Sequence, residues 1–211
     1  WDWCEELAVH SDAGDDEIWG GAHGDYILGG DGFDRLYGGI GTDRIEGGND
    51  GDFIDGGFGV DTLLGQAGDD EILGGGGADQ IFGGAGDDVL RGSDDAADTI
   101  HGDAGRDRVF GNAGNVLLFG DAGADIIDGG NGDDVIGGGP GSDVLLGGAH
   151  HDTLYGHLSV ALPADDDAVD YLYGDFGTNL NDAGAGNDRL FGQGGNDILF
   201  GESGGGSFGA R

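Results

Sequence analysis

Residues 75–92 read Gly75-Gly76-Gly77-Ala78-Asp79-Gln80-Ile81-Phe82-Gly83, then Gly84-Ala85-Gly86-Asp87-Asp88-Val89-Leu90-Arg91-Gly92. They are two copies of one nine-residue unit: a glycine-rich turn, an aspartate, one aliphatic residue between two variable ones, and a closing glycine. The pattern extends in both directions. The aliphatic position is Ile18, Ile27, Leu36, Ile45, Ile54, Leu63, Ile72, Ile81 and Leu90, every ninth residue. It continues as Ile100, Val109, Leu118, Ile127, Ile136, Leu145, Leu154, Leu172, Leu190 and Leu199.

Two places before the aliphatic residue stands an aspartate. The series is Asp16, Asp25, Asp34, Asp43, Asp52, Asp61, Asp70, Asp79 and Asp88, then Asp98, Asp107, Asp125, Asp134, Asp143, Asp152, Asp170, Asp188 and Asp197. One unit is longer by a residue, at Ser93–Gly102, where Ala96 replaces the turn glycine. In another, Val116 takes the aspartate position although Leu118 keeps the aliphatic one. His23 and His150 stand where a turn glycine belongs, a position expected to need φ > 0, which His tolerates better than most residues.

The spacing predicts an all-β chain. Glycine this frequent excludes helices, and three residues with the central one inward make a very short strand between left-handed turns. Two strand–turn units form a coil of 18 residues, and stacked coils form two parallel sheets around a thin aliphatic core. With strands about 4.8 Å apart, roughly ten coils give a rod about 50 Å long. The interval is doubled at His157–Asp167, which holds Pro163 and the acidic run Asp165, Asp166, Asp167, and again at Asp175–Gly192, where Asn179 replaces an aspartate. Because twice nine is a whole coil, the doubling is expected to keep the two-sided phase. Residues 1–11 keep the spacing through Val9 and are expected to form an irregular first coil or cap, covered by Trp1 and Trp3. The β-roll proper is assigned to 12–201, with a loop near 157–169 and an irregular coil near 175–183. The tail 202–211 places Phe208 nine residues after Leu199, as a degenerate last coil.

Composition sets a second constraint. The 211 residues include 54 Gly, 43 acidic residues and 7 basic ones, for a formal charge of −36. Such a charge opposes compaction, and one aliphatic residue in nine is too little core to offset the ordering of a glycine-rich backbone. A cation that neutralises the aspartates resolves the conflict. Calcium fits, as a hard cation taking six to eight oxygens in flexible geometry, and turn carbonyls with one carboxylate per unit are such donors. Eighteen divalent ions, one per aspartate of the series, would match the formal charge of −36. Magnesium demands octahedral geometry, and zinc lacks its thiolate and imidazole clusters. The Val116 unit is expected to stack normally and bind metal poorly.

On these residues the chain resembles the RTX (hemolysin-type) nonapeptide-repeat family, the calcium-binding β-roll of secreted bacterial cytolysins, metalloproteases, lipases and epimerases. The resemblance covers residues 12–201. It implies a parallel β-roll, Ca²⁺ at roughly one ion per intact repeat, calcium-triggered folding outside the cell and often type I export. Nothing in the chain resembles the catalytic domains that such repeats accompany.

Other readings are weaker. Nucleic acid and anionic membranes need a positive surface, and no apolar run approaches a membrane span. The pairs Asp15/Asp16, Asp69/Asp70 and Asp87/Asp88 could suggest acid–base catalysis, but they recur with the repeat, so no catalytic or organic-cofactor site is assigned. His150-His151 beside Asp152 could hold a transition metal, and a solvated turn is the simpler reading. Asp165–Asp167 is read as an acidic loop. No helix follows the Gly-x-Gly patterns to receive a phosphate. The single cysteine, Cys4, rules out an internal disulfide and leaves an inert thiol or an intermolecular partner. The start at Trp1 and the lack of Met point to a processed or excised segment.

The residue after each core position is often large and apolar, as at Trp19, Tyr37, Phe82, Phe110, Phe119, Tyr155, Tyr173, Phe191 and Phe200. It is either an outward interaction stripe or a surface covered by neighbouring coils. Two roles remain. One is a calcium-loaded extracellular rod that joins copies of itself into a fibre or surface layer. The other is the calcium-triggered folding and secretion module of a larger toxin, protease, lipase or epimerase.

Overall fold

The structure is a computed structural model that describes residues 8–11, 13–93, 96–157, 169–175, 187–193 and 196–201. These residues form parallel strands and turns, with no helix among them. The strands belong to two sheets, one of 11 strands and one of 10. Successive nine-residue units alternate between the sheets, so partners within a sheet lie 18 residues apart. In the first sheet Ile27 pairs with Ile45, Ile45 with Leu63 and Leu63 with Ile81. In the second, Ile18 pairs with Leu36, Leu36 with Ile54 and Ile54 with Ile72. This is the parallel two-sheet β-roll that the spacing predicts.

The core is one file of aliphatic side chains from each sheet. Ile27 through Leu172 of the series are fully buried, Ile18 and Leu190 nearly so, and Val9 and Leu199 pack against the ends. The strand Ala8–His10 joins the first sheet through Val9 and Ile27, which places the first aliphatic position where its spacing predicts. Trp1, Trp3, Cys4, Asp165–Asp167 and Phe208 lie outside the described residues.

Two features differ from the expectation. Many strands are six residues long, such as Tyr26–Asp31 and Arg35–Ile40, and not three. The reason is that turn glycines continue the ladder into the same turn of the next coil, as Gly30 does with Gly48 and Gly39 with Gly57. The second difference is the phase. Leu154 is in the first sheet, paired with Ile136 and Leu190, whereas Leu172 is in the second, paired with Leu145 and Leu199. Each doubled interval therefore makes one crossing between sheets and not a full coil. The ninth residues after Leu154 and Leu172 are Pro163 and Asn181. Proline cannot donate to a sheet ladder and asparagine offers nothing to an aliphatic core, so neither residue continues the aliphatic series, and both lie outside the described residues.

Turn chemistry follows the same logic. Most described turns have two positions with positive φ, such as Gly57 (97°) and Gly59 (142°). His23 (83°) and His150 (88°) occupy such positions, as expected, and so do Asp50, Gln66 and Asn112.

Truncation of the core is predicted to act by position. Ile72→Ala, in a fully buried file, is expected to cost about 2–5 kcal/mol. Ile40→Ala, on a side chain 61% exposed, should shift stability by less than about 0.5 kcal/mol. Denaturant titration in excess calcium measures both.

Candidate metal centre

Each aspartate of the series sits at the end of a turn, immediately before the strand that carries the next core residue. Its backbone and side chain serve different coils. The Asp34 N–H donates to Asp52 Oδ1 at 2.8 Å and the Asp52 N–H to Asp70 Oδ1 at 2.7 Å. On the opposite edge Asp43 donates to Asp61 and Asp61 to Asp79, both at 2.8 Å. The relay persists through the doubled intervals, where Asp143 donates to Asp170 Oδ1 and Asp152 to Asp188 Oδ1, both at 3.0 Å. The last rung, Asp170 to Asp197, is longer at 3.2 Å. Of the eighteen, Asp16 and Asp197 are half-buried. Asp25, Asp34, Asp43, Asp52, Asp61, Asp70, Asp79, Asp88, Asp98, Asp107, Asp125, Asp134, Asp143, Asp152, Asp170 and Asp188 are buried.

Oδ1 is thus engaged with backbone, and Oδ2 is the other half of the site. In Asp34, Asp43, Asp52, Asp61, Asp70, Asp79, Asp88, Asp107, Asp125 and Asp134 it is buried with no hydrogen-bond partner. A buried carboxylate oxygen without a donor is costly. It lies beside a turn carbonyl from the coil above. A Cβ placed on Gly38 would stand 2.5 Å from both Asp43 Oδ2 and the Gly56 carbonyl oxygen. One on Gly29 would stand 2.5 Å from Asp34 Oδ2 and the Gly47 carbonyl, and Gly129 repeats this with Asp134 and Gly147. The closing glycine therefore keeps open a cradle whose walls are oxygen. This requirement was visible in the sequence only as strict recurrence: the turn glycines accept His, Asp or Gln, and the closing glycine of these units does not vary.

Burial of like-charged oxygens moves their titration. Desolvation pushes Asp52, Asp61, Asp70 and Asp107 from the ordinary 3.8 up to about 7. It raises Asp79, Asp88, Asp125 and Asp134 to about 6. The backbone N–H on Oδ1 opposes the shift, and neighbouring carboxylates add to it, Asp79 and Asp43 in the case of Asp61.

The donor set fits calcium. It consists of carboxylate and carbonyl oxygens, and among the described residues no group of three or more His, Cys, Asp or Glu converges on a point. Asp Oδ2 and the carbonyl of the glycine 18 residues beyond the closing glycine would hold the ion. Bound there, the ion would supply the positive charge that the buried row lacks.

Other expected features resolve simply. The outer acids of the pairs cap the turns: Asp15 Oδ1 accepts the Phe33 N–H at 3.1 Å, Asp69 Oδ1 the Asp87 N–H at 2.8 Å, and Asp87 Oδ1 the Arg106 N–H at 2.9 Å. His151 Nδ1 accepts the Asn187 N–H at 2.7 Å, a role in the turn. The residues after the core positions stack in columns, Trp19 on Tyr37 at 3.9 Å and Tyr155 on Phe191 at 5.0 Å. Neighbouring coils cover most of them, while Trp19 and Phe200 remain the exposed ones.

A parallel roll with oxygen cradles recurring along its turns defines a class of metal-stabilised repeat folds. The profile of the RTX calcium-binding nonapeptide repeat matches residues 9–36, 19–54, 28–63, 37–72, 55–90, 93–118, 101–136, 117–145, 129–158 and 173–207. The chain belongs to the RTX calcium-binding nonapeptide repeat family. No curated protein matches it.

Two outcomes are expected. Gly→Ala at an unstrained position normally stabilises by about 0.4–1 kcal/mol. Gly38→Ala should instead raise the calcium concentration needed for folding, because its Cβ fills the Asp43 cradle. The second concerns pH without calcium. Unfolded carboxyls release protons near 3.8, and the folded ones hold them to about 6 or 7. The folded chain binds more protons in between, so this contribution is complete below about pH 4 and lost as pH rises through about 6 to 7. Circular dichroism in chelator should therefore show structure falling with rising pH, and calcium should abolish the trend.

Proposed function

We propose that the protein is a secreted structural rod whose folding is switched on by calcium and whose copies join end to end in an extracellular fibre or surface layer. The observation that carries the calcium switch is the row of buried, donor-less Asp Oδ2 atoms facing turn carbonyls. At low calcium this row is a stack of uncompensated charges in a chain of formal charge −36. At high calcium the same row ties each coil to the next. Metal binding is then folding free energy, and a chain that stays open inside the cell and closes outside it suits the secretion typical of such repeats.

Support for end-to-end joining comes from the aromatic residues at the two ends of one column, which carries Asp55, Leu73, Arg91, Asp128 and Leu146 between them. On the second sheet Trp19 begins the column and Phe200 ends it among the described residues. Each has a stacked neighbour on one side, Tyr37 at 3.9 Å and Tyr173 at 4.8 Å. Trp19 is 62% exposed and Phe200 45%. A second copy placed head to tail would bring the Trp19 and Phe200 ends of the column together and continue the parallel ladder, and a heterologous contact of this kind does not close on itself. The rod's role is mechanical, with no catalytic step assigned to it.

Electron microscopy and light scattering in millimolar calcium test the reading. Fibres that dissolve on chelation, and that shorten when Trp19 and Phe200 are replaced by Ser, are the expected result. Discrete rods that unfold on chelation without ever associating would refute the assembly and leave a calcium-triggered folding module.

A further inference from the structure

The two edges of the roll are not equivalent. Where the chain passes from the first sheet to the second, Asp34, Asp52, Asp70, Asp88, Asp107 and Asp125 follow one another rung by rung. Each Oδ1 receives the N–H of the rung before it, and each Oδ2 has no donor. The opposite edge begins the same way, with Asp43, Asp61 and Asp79. Its next two rungs are Asp98 and Val116, and Asp134 then restores the pattern.

Both of these rungs lack the free oxygen, for different reasons. At Asp98 the protein supplies its own donors: Oδ2 accepts the Ser93 N–H at 2.7 Å and the Ser93 hydroxyl at 3.0 Å. Ser93 is buried, and its Oγ accepts the Ala96 N–H at 3.2 Å. A cation approaching this oxygen would meet hydrogens and would have to leave buried donors unpaired, which is costly. At Val116 a methyl group stands in the oxygen's place. From the Cβ point of Gly111, Val116 Cγ2 is 2.7 Å away and the Gly129 carbonyl 2.5 Å. From the matching point at Gly129, Asp134 Oδ2 is 2.5 Å away. The carbonyl wall is intact and the carboxylate wall is hydrocarbon.

The backbone breaks its pattern at the same level. On this edge the ladder runs through the turn at Gly57–Gly75 and Phe58–Gly76, then contracts to Val89–Arg91. Pairing through the turn returns as the single bridge Ala113–Asn131 and as a full ladder at Gly130–Gly148. A groove lined by Gly75, Gly77, Arg91, Ser93, Ala96 and Asn112 opens between.

We propose that calcium loads this edge as two separate blocks, divided by a metal-free gap at Asp98 and Val116, while the other edge loads as one continuous column from Asp34 to Asp125. The inference rests on the calcium reading of the cradles. Rungs communicate because each aspartate both receives the preceding N–H and shares its cradle with a carbonyl of the next coil. An ion at one rung orders the oxygens of its neighbours, and a rung whose second oxygen is already bonded, as at Asp98, or missing, as at Val116, does not pass that order on.

Calcium stoichiometry and the steepness of binding, measured by equilibrium dialysis and calorimetry on the full chain, test this. Val116→Asp is expected to raise the bound calcium by at least one ion per chain and to steepen the isotherm. Asp61→Val, which places the same hydrocarbon within a loaded block, should remove at least one ion and flatten the curve. It keeps the experiment decisive where Val116→Asp fails to fold. An unchanged stoichiometry in either variant, with the β circular dichroism of the parent chain retained, would overturn the gap. A parent chain that binds no calcium would overturn the reading beneath it, and the parent measurement alone distinguishes that case.

Discussion

The structure depends on a repulsion. A parallel roll with an 18-residue coil places the same side chain of every second unit in one file, one strand spacing apart. Here that side chain is a carboxylate with its second oxygen buried and without a donor in most rungs. Two unit charges about 4.8 Å apart at an effective dielectric near 20 repel by about 3.5 kcal/mol. A charge-assisted hydrogen bond returns about 1.5–3 kcal/mol, so the N–H on Oδ1 does not balance a file of such neighbours. The ion pairs that join Arg44 to Glu46, Arg106 to Asp87 and His101 to Asp121 lie outside the row. Protons or divalent cations must complete the fold.

The same constraint explains the composition. Glycine closes each unit because any Cβ there would enter the oxygen cradle, and only one residue in nine needs to be aliphatic because the core is a double file and not a volume. What a conventional domain obtains from apolar burial, this one is proposed to obtain largely from an ion at the turn. The arrangement is local, since each coil touches mainly its neighbours, and stability is then approximately a sum over rungs. On that view a missing rung does not unfold the rod. It divides it.

Most of this architecture was legible in the sequence. The period of nine, with an aspartate two residues before an aliphatic one, identified the buried files, the two sheets and the carboxylate row residue by residue. Three features were not legible, each for a physical reason. The doubled intervals conserve a multiple of nine, yet Leu154 and Leu172 stand in different sheets, so the phase changes where the arithmetic allowed a full coil. Ser93 lies in the one lengthened unit, and only the folded turn shows that the extra residue lets its N–H and hydroxyl reach Asp98. Val116 was recognisable as a lost ligand, but its adjacency to Asp98 depends on the sheets alternating, which places units 98 and 116 on one edge and 107 on the other.

Cations are proposed to occupy the space between Asp Oδ2 and the turn carbonyls. Anomalous diffraction from crystals grown in calcium and exchanged with terbium locates such ions directly. Two files of anomalous peaks are expected along the edges of the roll, each peak beside a closing glycine. Crystals of the folded roll with no peaks in these cradles, or with ions only on exposed acids such as Asp15 and Asp69, would contradict it.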